Sequence, residues 1–415
     1  MKPFILALAL FCSPLIDTSI VLAQEASNKQ IIGYLPNWAA YRRSRLFNPF
    51  TIDYSRYTIL DYSFFSPDEN GKIISCDPFA DKLLLKAEPN VVQLAHAKGV
   101  KVMVSLGGWS LSKNFSGIAA DPVKRKYFAE QCVELLSYHD FDGIDIDWEW
   151  PTFVGNNGTP HDTENFTLLL REIRAAIDAY GESVGAKMLL TAAVGAAPNH
   201  YAAINWKEVC EILDYVNLMS YATNGVWSER AGHNSPLSLP VDSVGGTCTM
   251  SSVKMIHEEF GVPMNKLNVG LPFYGHTMLF KKGEAALYSD KLLGVADTAG
   301  VFRVTKGSPS YYDILEKISG FDQFWDEDAQ VPYLLNKDRS VFVTYDDERS
   351  IRLKAEYAMS VDAAGVIIWD VSHDYVETRP NSGTIKGTPL ADVVCEVLKH
   401  EPKALKKIKK KKVKK

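Results

Sequence analysis

Phe141-Asp142-Gly143-Ile144-Asp145-Ile146-Asp147-Trp148-Glu149-Trp150-Pro151 sets acids at alternate positions of what otherwise reads as a buried strand. Successive side chains of a strand point to opposite sides, so Asp145, Asp147 and Glu149 share one face while Ile144, Ile146 and Trp148 take the other. The wet face of an antiparallel sheet would show the same alternation. The neighbouring sequence argues otherwise. Lys101 to Gly108 reads as a strand and Pro122 to His139 as an amphipathic helix, so the acidic segment completes a β-α-β unit whose strands are covered on both sides. Carboxylates inside such a structure are costly to ionise unless hydrogen-bonded or protonated, which marks the row as a candidate site.

Working outward, short β-rich runs recur at Gln30 to Trp38, Tyr57 to Phe65, Lys101 to Gly108, Gly143 to Glu149, Met188 to Gly195, Tyr215 to Tyr221, Leu267 to Gly275 and Gly365 to Ser372. Helix-compatible segments lie between most of them. Asp162 to Tyr180, for example, carries Phe166, Leu169, Leu170, Ile173 and Ile177 at helical spacing, with Asp162 or Thr163 as candidate cap. Eight strands alternating with helices predict an α/β fold, a (β/α)8 barrel whose catalytic side chains gather at the C-terminal strand ends. Glu149 falls at such an end. The rhythm is broken once, between the seventh and eighth strands, where 276–344 has a texture of its own and predicts a small α+β insertion. The barrel is then 24–275 with 345–400, and the segment from about Asp347 to Asp362 is the helix that returns the chain to it.

The chain has 415 residues, 46% of them hydrophobic and 23% charged, enough for a large soluble core. Residues 1–23 combine a basic start, an apolar middle and small residues before Gln24. This predicts a cleaved export signal and a mature protein that is secreted, extracellular or periplasmic. Five cysteines follow it, Cys76, Cys132, Cys210, Cys248 and Cys395. An odd and scattered set is neither a disulfide framework nor a metal cluster, although one pair can still form in an oxidising compartment. His161, His200, His233, His257, His276 and His373 show no paired ligand spacing, so neither metal nor cofactor is expected. The net charge of −5 hides a Lys-rich run in 401–415 that reads as a disordered tail, either merely solvated or drawn weakly to anionic surfaces. The remainder is acidic, which excludes nucleic-acid binding as the main activity. Asn114, Asn157 and Asn165 head Asn-x-Ser/Thr triplets, meaningful only in a glycosylating host.

Asp142, Asp145, Asp147 and Glu149 also fit the DxxDxDxE signature of family 18 glycoside hydrolases, the chitinase family, and Trp150-Pro151 continues it. Gly33 to Trp38, Ser105 to Trp109, Glu164 to Arg171, Asn217 to Tyr221, Gly270 to Gly275, Tyr345 to Asp347 and Gly365 to Trp369 resemble the family at the expected places, so the likeness runs from Ile31 to about Ser372. The insertion resembles the α+β subdomain of the family's processive-type chitinases.

The resemblance implies a secreted monomer that cuts β-1,4 bonds of chitin or chitooligosaccharides with retention. Ordinary retaining glycosidases use two carboxylates about 5–5.5 Å apart, whereas this family is a substrate-assisted exception. By the resemblance, Glu149 is acid and base and Asp147 orients the substrate acetamido group. Asp145 shares a proton with Asp147, and Tyr221 donates to the acetamido carbonyl. Tyr34 and Ser105 support Asp145. Trp369 forms the floor of the cleavage subsite, while Trp109, Trp38, Tyr274 and Trp227 are further aromatic candidates for either sugar stacking or packing. Asp142 belongs to the signature, with structural hydrogen bonding as its expected role. Trp325 is a candidate for the groove wall and His233 for a place near the groove. The family commonly has Asp after the tyrosine of the sixth strand. Here Ala222 stands there, with Asn224 as a candidate substitute. Two other readings share the fold, a chitin-binding lectin, which the presence of Glu149 disfavours, and a hydrolase of another N-acetylglucosamine-containing glycan.

Overall fold

The computed structural model describes residues 29–42, 46–239, 246–289, 301–302, 307–380 and 382–399. The expected export signal and Lys-rich tail lie outside them, as do Arg303 and Val304 of the insertion. Strands β1 (Gln30–Pro36), β2 (Ile59–Pro67), β3 (Lys101–Gly107), β4 (Gly143–Asp147), β5 (Leu189–Gly195), β6 (Tyr215–Met219) and β7 (Leu267–Pro272) stand side by side in chain order. Four insertion strands follow, β8 (His276–Leu279), β9 (Phe321–Asp326), β10 (Val331–Asn336) and β11 (Val341–Thr344). Then β12 (Gly365–Trp369) pairs in parallel with both β7 and β1, while β1 also pairs with β2. The result is a closed ring of eight parallel strands, a (β/α)8 barrel.

Strand parity sorts the side chains. Ile31, Leu60, Val102, Val104, Ile144, Ile146, Leu190, Val216, Val269 and Val366 belong to the large core between strands and helices. Their neighbours Ile32, Tyr34, Ile59, Met103, Leu189 and Ile367 form a separate small cluster inside the ring. The remaining interior is polar, with Asp61, Ser105, Asp145, Asp147, Thr191, Asn217 and Asn268 all buried. A barrel with an apolar lower plug and polar upper layers has its chemistry at the top of the ring.

Helix α1 (Pro122–His139) leads into β4 and α2 (Asp162–Val184) follows it. The second is longer than the expected Asp162 to Tyr180. Gly181 is buried where a Cβ would lie 2.4 Å from the Ala186 carbonyl oxygen, so glycine lets the helix run close against the approach to β5, and it stops at Gly185 with φ +71. Asp162 does not cap it either. Its carboxylate accepts instead from the backbone of Thr152 and Thr159, both at 2.9 Å, and from Ser116 Oγ at 2.6 Å. Helix α3 (Glu348–Ser360) is capped by Asp347, which accepts from Ser350 N, and brings the chain back to β12.

The insertion strands pair antiparallel in the order β9, β10, β11, β8. They are tied to the barrel by His233 in the loop after β6, whose Nε2 lies 2.9 Å from Asp326 Oδ2 at the end of β9. Among the described residues no helix is long and apolar enough to cross a membrane.

Candidate active site

Strand β4 ends at Asp147, two residues short of the Glu149 limit expected from the alternation. The backbone bonds that would extend it turn to the neighbouring loop. The Asp147 carbonyl accepts from Gly108 N–H at 2.8 Å, and Glu149 N–H donates to Ser112 Oγ at 2.9 Å. Gly107, at φ +115, permits this approach, since a Cβ there would fall 2.2 Å from the Asp147 carbonyl oxygen. Glu149 therefore leaves the ring and is only half-buried, while Asp147 and Asp145 stay buried below.

Asp145 is fully enclosed and fully bonded. Ser105 Oγ and Tyr34 Oη donate to its Oδ2 at 2.8 and 3.0 Å, and Thr191 Oγ1 and Asn217 Nδ2 to its Oδ1 at 2.6 and 3.2 Å. Asn217 is oriented in turn by Asn268 at 3.0 Å. Burial raises the Asp145 pKa and these four donors pull it back. Asp147 has no such relief, because its Oδ1 lacks a hydrogen bond among the described residues. Burial first, then the charges of Glu149 and Asp145, hold it well above the ordinary carboxylate range. Burial also pushes Glu149 up to about 8, against a hydrogen bond from the Trp109 backbone that favours the ionised form. A carboxyl that keeps its proton at neutral pH, at the C-terminal end of the ring above two further carboxyls, is equipped to protonate a leaving group.

Asp142 sits apart at the foot of the strand, where its Oδ2 accepts from Val102 N–H at 2.7 Å and meets His96 Nε2 at 2.8 Å. Trp369, at the end of β12, has its ring centroid 5.7 Å from those of Tyr34 and Phe64 and 6.2 Å from that of Trp38. Four aromatic rings thus gather beside β1, β2 and β12. Tyr221 meets Tyr274 edge-on at 6.1 Å, and its hydroxyl is held protonated by burial, by Tyr274 and then by Asp147, Glu149 and Asp145. Tyr274 is almost wholly enclosed. Trp109 and Trp227, by contrast, are 59% and 57% exposed, as a sugar-stacking surface must be. Trp109 pairs with Phe153 at 5.8 Å and Trp227 meets His276 at 5.0 Å.

Other candidates lie elsewhere. Trp325 packs under the Arg349 guanidinium at 3.7 Å and donates to Glu327 at 3.1 Å, both on the surface. Asn224 gives its amide to the His233 carbonyl at 3.1 Å, which leaves it committed to its own loop. Ala222 is exposed, at φ +56, with its N–H on Asn234 Oδ1 at 3.0 Å. The five cysteines are free thiols. Among the described residues no group of three or more His, Cys, Asp or Glu is placed to hold a metal ion.

Thr191, Asn217, Ser112, Asn156 and Asp61 are given no role by the sequence alone. Strand parity would have placed the first two and Asp61 on the inward face. Ser112 and Asn156 lie on loops, where parity is silent.

A closed barrel bearing a protonated carboxyl at its rim, stacked carboxyls below and aromatic rings around it has the make-up of a glycoside hydrolase. Residues 30–374 match the family described as glycosyl hydrolases family 18, and the chain belongs to that family. It is similar to Chitinase A1 of Niallia circulans, 32% identical over 91% of this chain and 62% of that protein. It is also similar to Probable chitinase 2 of Drosophila melanogaster, 33% identical over 84% of this chain and 72% of that one. The chain therefore spans less than two thirds of the length of the first and somewhat more of the second. Among solved structures, the Group IV chitinase of Ostrinia furnacalis in complex with allosamidin superposes with a TM-score of 0.78 at 29% identity, over 89% of this chain and 98% of that one.

Proposed function

We propose that the protein is an exported chitinase that hydrolyses β-1,4 bonds between N-acetylglucosamine units with retention of configuration, using the substrate's own acetamido group as nucleophile. The observation that carries this reading is the division of labour along one strand. Asp145 is saturated with donors, Asp147 is buried without them, and Glu149 alone of the three is partly exposed, with a proton to give. In the first step the acetamido oxygen bonds to the anomeric carbon, the glycosidic C–O bond breaks, and the Glu149 proton goes to the departing oxygen. Asp147 orients the acetamido N–H and balances the positive charge of the oxazolinium, with the Asp145 and Asp147 pair keeping one proton between them. In the second step water bonds to the same carbon, the acetamido oxygen leaves it, and the water's proton returns to Glu149. Tyr221 donates to the acetamido carbonyl and Trp369 supports the apolar face of the ring. The names of the relatives and the allosamidin held by the Ostrinia protein support the choice of substrate class.

Purified protein assayed on soluble chitin oligomers of graded length tests the reading, with the anomeric form of the first product followed by proton NMR. The expected result is β-product, with a rate that falls as pH rises through about 8, where Glu149 loses its proton, and a loss of about 10²–10⁴-fold in kcat for Glu149→Gln. Binding without any product would overturn hydrolysis, and full activity in Glu149→Gln would overturn the assignment of the acid.

A further inference from the structure

The peptide carrying Glu149 is gripped by two loop side chains. Ser112 Oγ receives the Glu149 N–H at 2.9 Å and donates to the Gly108 carbonyl at 2.9 Å. On the other side, Asn156 Nδ2 donates to the Glu149 carbonyl at 2.7 Å and also to the Trp109 carbonyl at 3.1 Å. One amide thus joins the backbone of the acid to the backbone of the exposed indole beside it. Asn156 is itself only 6% exposed. Its loop is anchored at both shoulders, because Thr152 and Thr159 both give their N–H groups to Asp162. At Gly158 a Cβ would sit 2.4 Å from Phe153 N, so the turn is tight as well as anchored.

We propose that Asn156 is a positioning residue that sets the acid and the Trp109 platform in one fixed register, so that a sugar stacked on the indole presents its glycosidic oxygen to Glu149. The inference rests on Glu149 being the acid. Without the Asn156 amide the Glu149 and Trp109 carbonyls lose their shared donor, and the two loops are no longer held together at that point. The indole is then no longer aligned with the acid, so productive binding weakens for an oligomer long enough to rest on Trp109 and much less for a shorter one.

The test is Asn156→Ala, assayed on an oligomer long enough to reach Trp109 and on one too short to do so, with thermal unfolding as a check on the fold. The expected outcome is a kcat/KM on the long oligomer lower by about 3–10-fold, the range of one or two lost hydrogen bonds, with a raised KM, and a much smaller loss on the short one. A purely structural role would lower activity alike on both oligomers, which would overturn the proposal, as would unchanged kinetics. Should Asn156→Ala fail to fold, Asn156→Asp keeps the shape but has no proton to donate when ionised; its charge acts on Glu149 whatever the length of the oligomer, so an unchanged ratio between the two oligomers in that variant overturns the proposal equally. Inactive wild-type protein would sink the reading of the activity. Active wild-type protein silenced by Glu149→Gln, with the ratio unchanged in Asn156→Ala, would sink the role of Asn156 alone.

Discussion

Asp61 shows what the barrel interior does to a carboxyl that nothing supports. It stands on β2 between Tyr34 and Met103, fully enclosed, and neither oxygen has a hydrogen bond among the described residues. Burial first, then the nearby Asp145 and Asp147, raise its pKa well above the ordinary value. Asp145 has the same burial and four donors. The contrast shows what donors do for a buried carboxyl, since those on Asp145 oppose its burial and Asp61 has none. A raised pKa in the folded state means that folding must hold a proton the unfolded chain releases, so the penalty is absent below the unfolded value near 4 and grows as pH rises toward the folded one. Asp61→Asn is therefore expected to raise the melting temperature at pH 7 and to change it little at pH 3, as calorimetry at the two pH values would show. An equal gain at both would refute the linkage.

At the scale of elements, alternation alone was enough to find β4 and the order of its acids, because a two-residue period survives any change of surroundings. It did not find where the strand stops. That is decided by Gly107 and Ser112, which divert the backbone bonds of Asp147 and Glu149 and lie more than thirty residues away in the chain. Asn156 is hidden for a different reason, because its partners, seven and 47 positions away, are backbone carbonyls and leave no trace in side-chain pattern. Ala222 was legible as a departure, but its left-handed backbone and the diversion of Asn224 to His233 were not. The junction between insertion and barrel was equally opaque, since His233 and Asp326 are 93 positions apart. Burial opposes the charge on Asp326. The His233 bond and the N–H groups of Ala329 and Asp328 outweigh it and hold its pKa down to about 2. Such a carboxylate stabilises the fold above its ordinary value near 4, and the contribution disappears as pH falls through about 2. Asp326→Asn is expected to cost on the order of 2 kcal/mol at pH 7, with the difference from wild type shrinking in acid. Denaturant unfolding at pH 7 and pH 3 measures this, and a cost independent of pH would assign the effect to shape alone.

For the whole molecule, the ring is completed by its last strand. Until β12 arrives, β1 and β7 each present an unpaired edge. The core residues Ile31 on β1 and Val269 and Leu271 on β7 then lack Val366 and Ile368, the apolar pair that β12 brings between them. A chain cut before Gly365 is expected to be poorly soluble, because open parallel edges pair with other chains. Expression of residues 24–364 beside residues 24–415, followed by size-exclusion chromatography, checks this. A monomeric and cooperatively folding truncated chain would show that closure is dispensable.

The place of β12 in the ring also gives the protein a timetable. The strand that shuts the barrel is the one that ends in Trp369, and it pairs with β1, more than three hundred residues earlier in the chain. Contacts of such long sequence separation form late, since loop closure must precede any gain from pairing. Trp369 rides on that strand, so the aromatic cluster it forms with Tyr34, Trp38 and Phe64 cannot assemble until long after Asp145, Asp147 and Glu149 have been made, and the burial that sets the pKa of those carboxyls waits on the same closure.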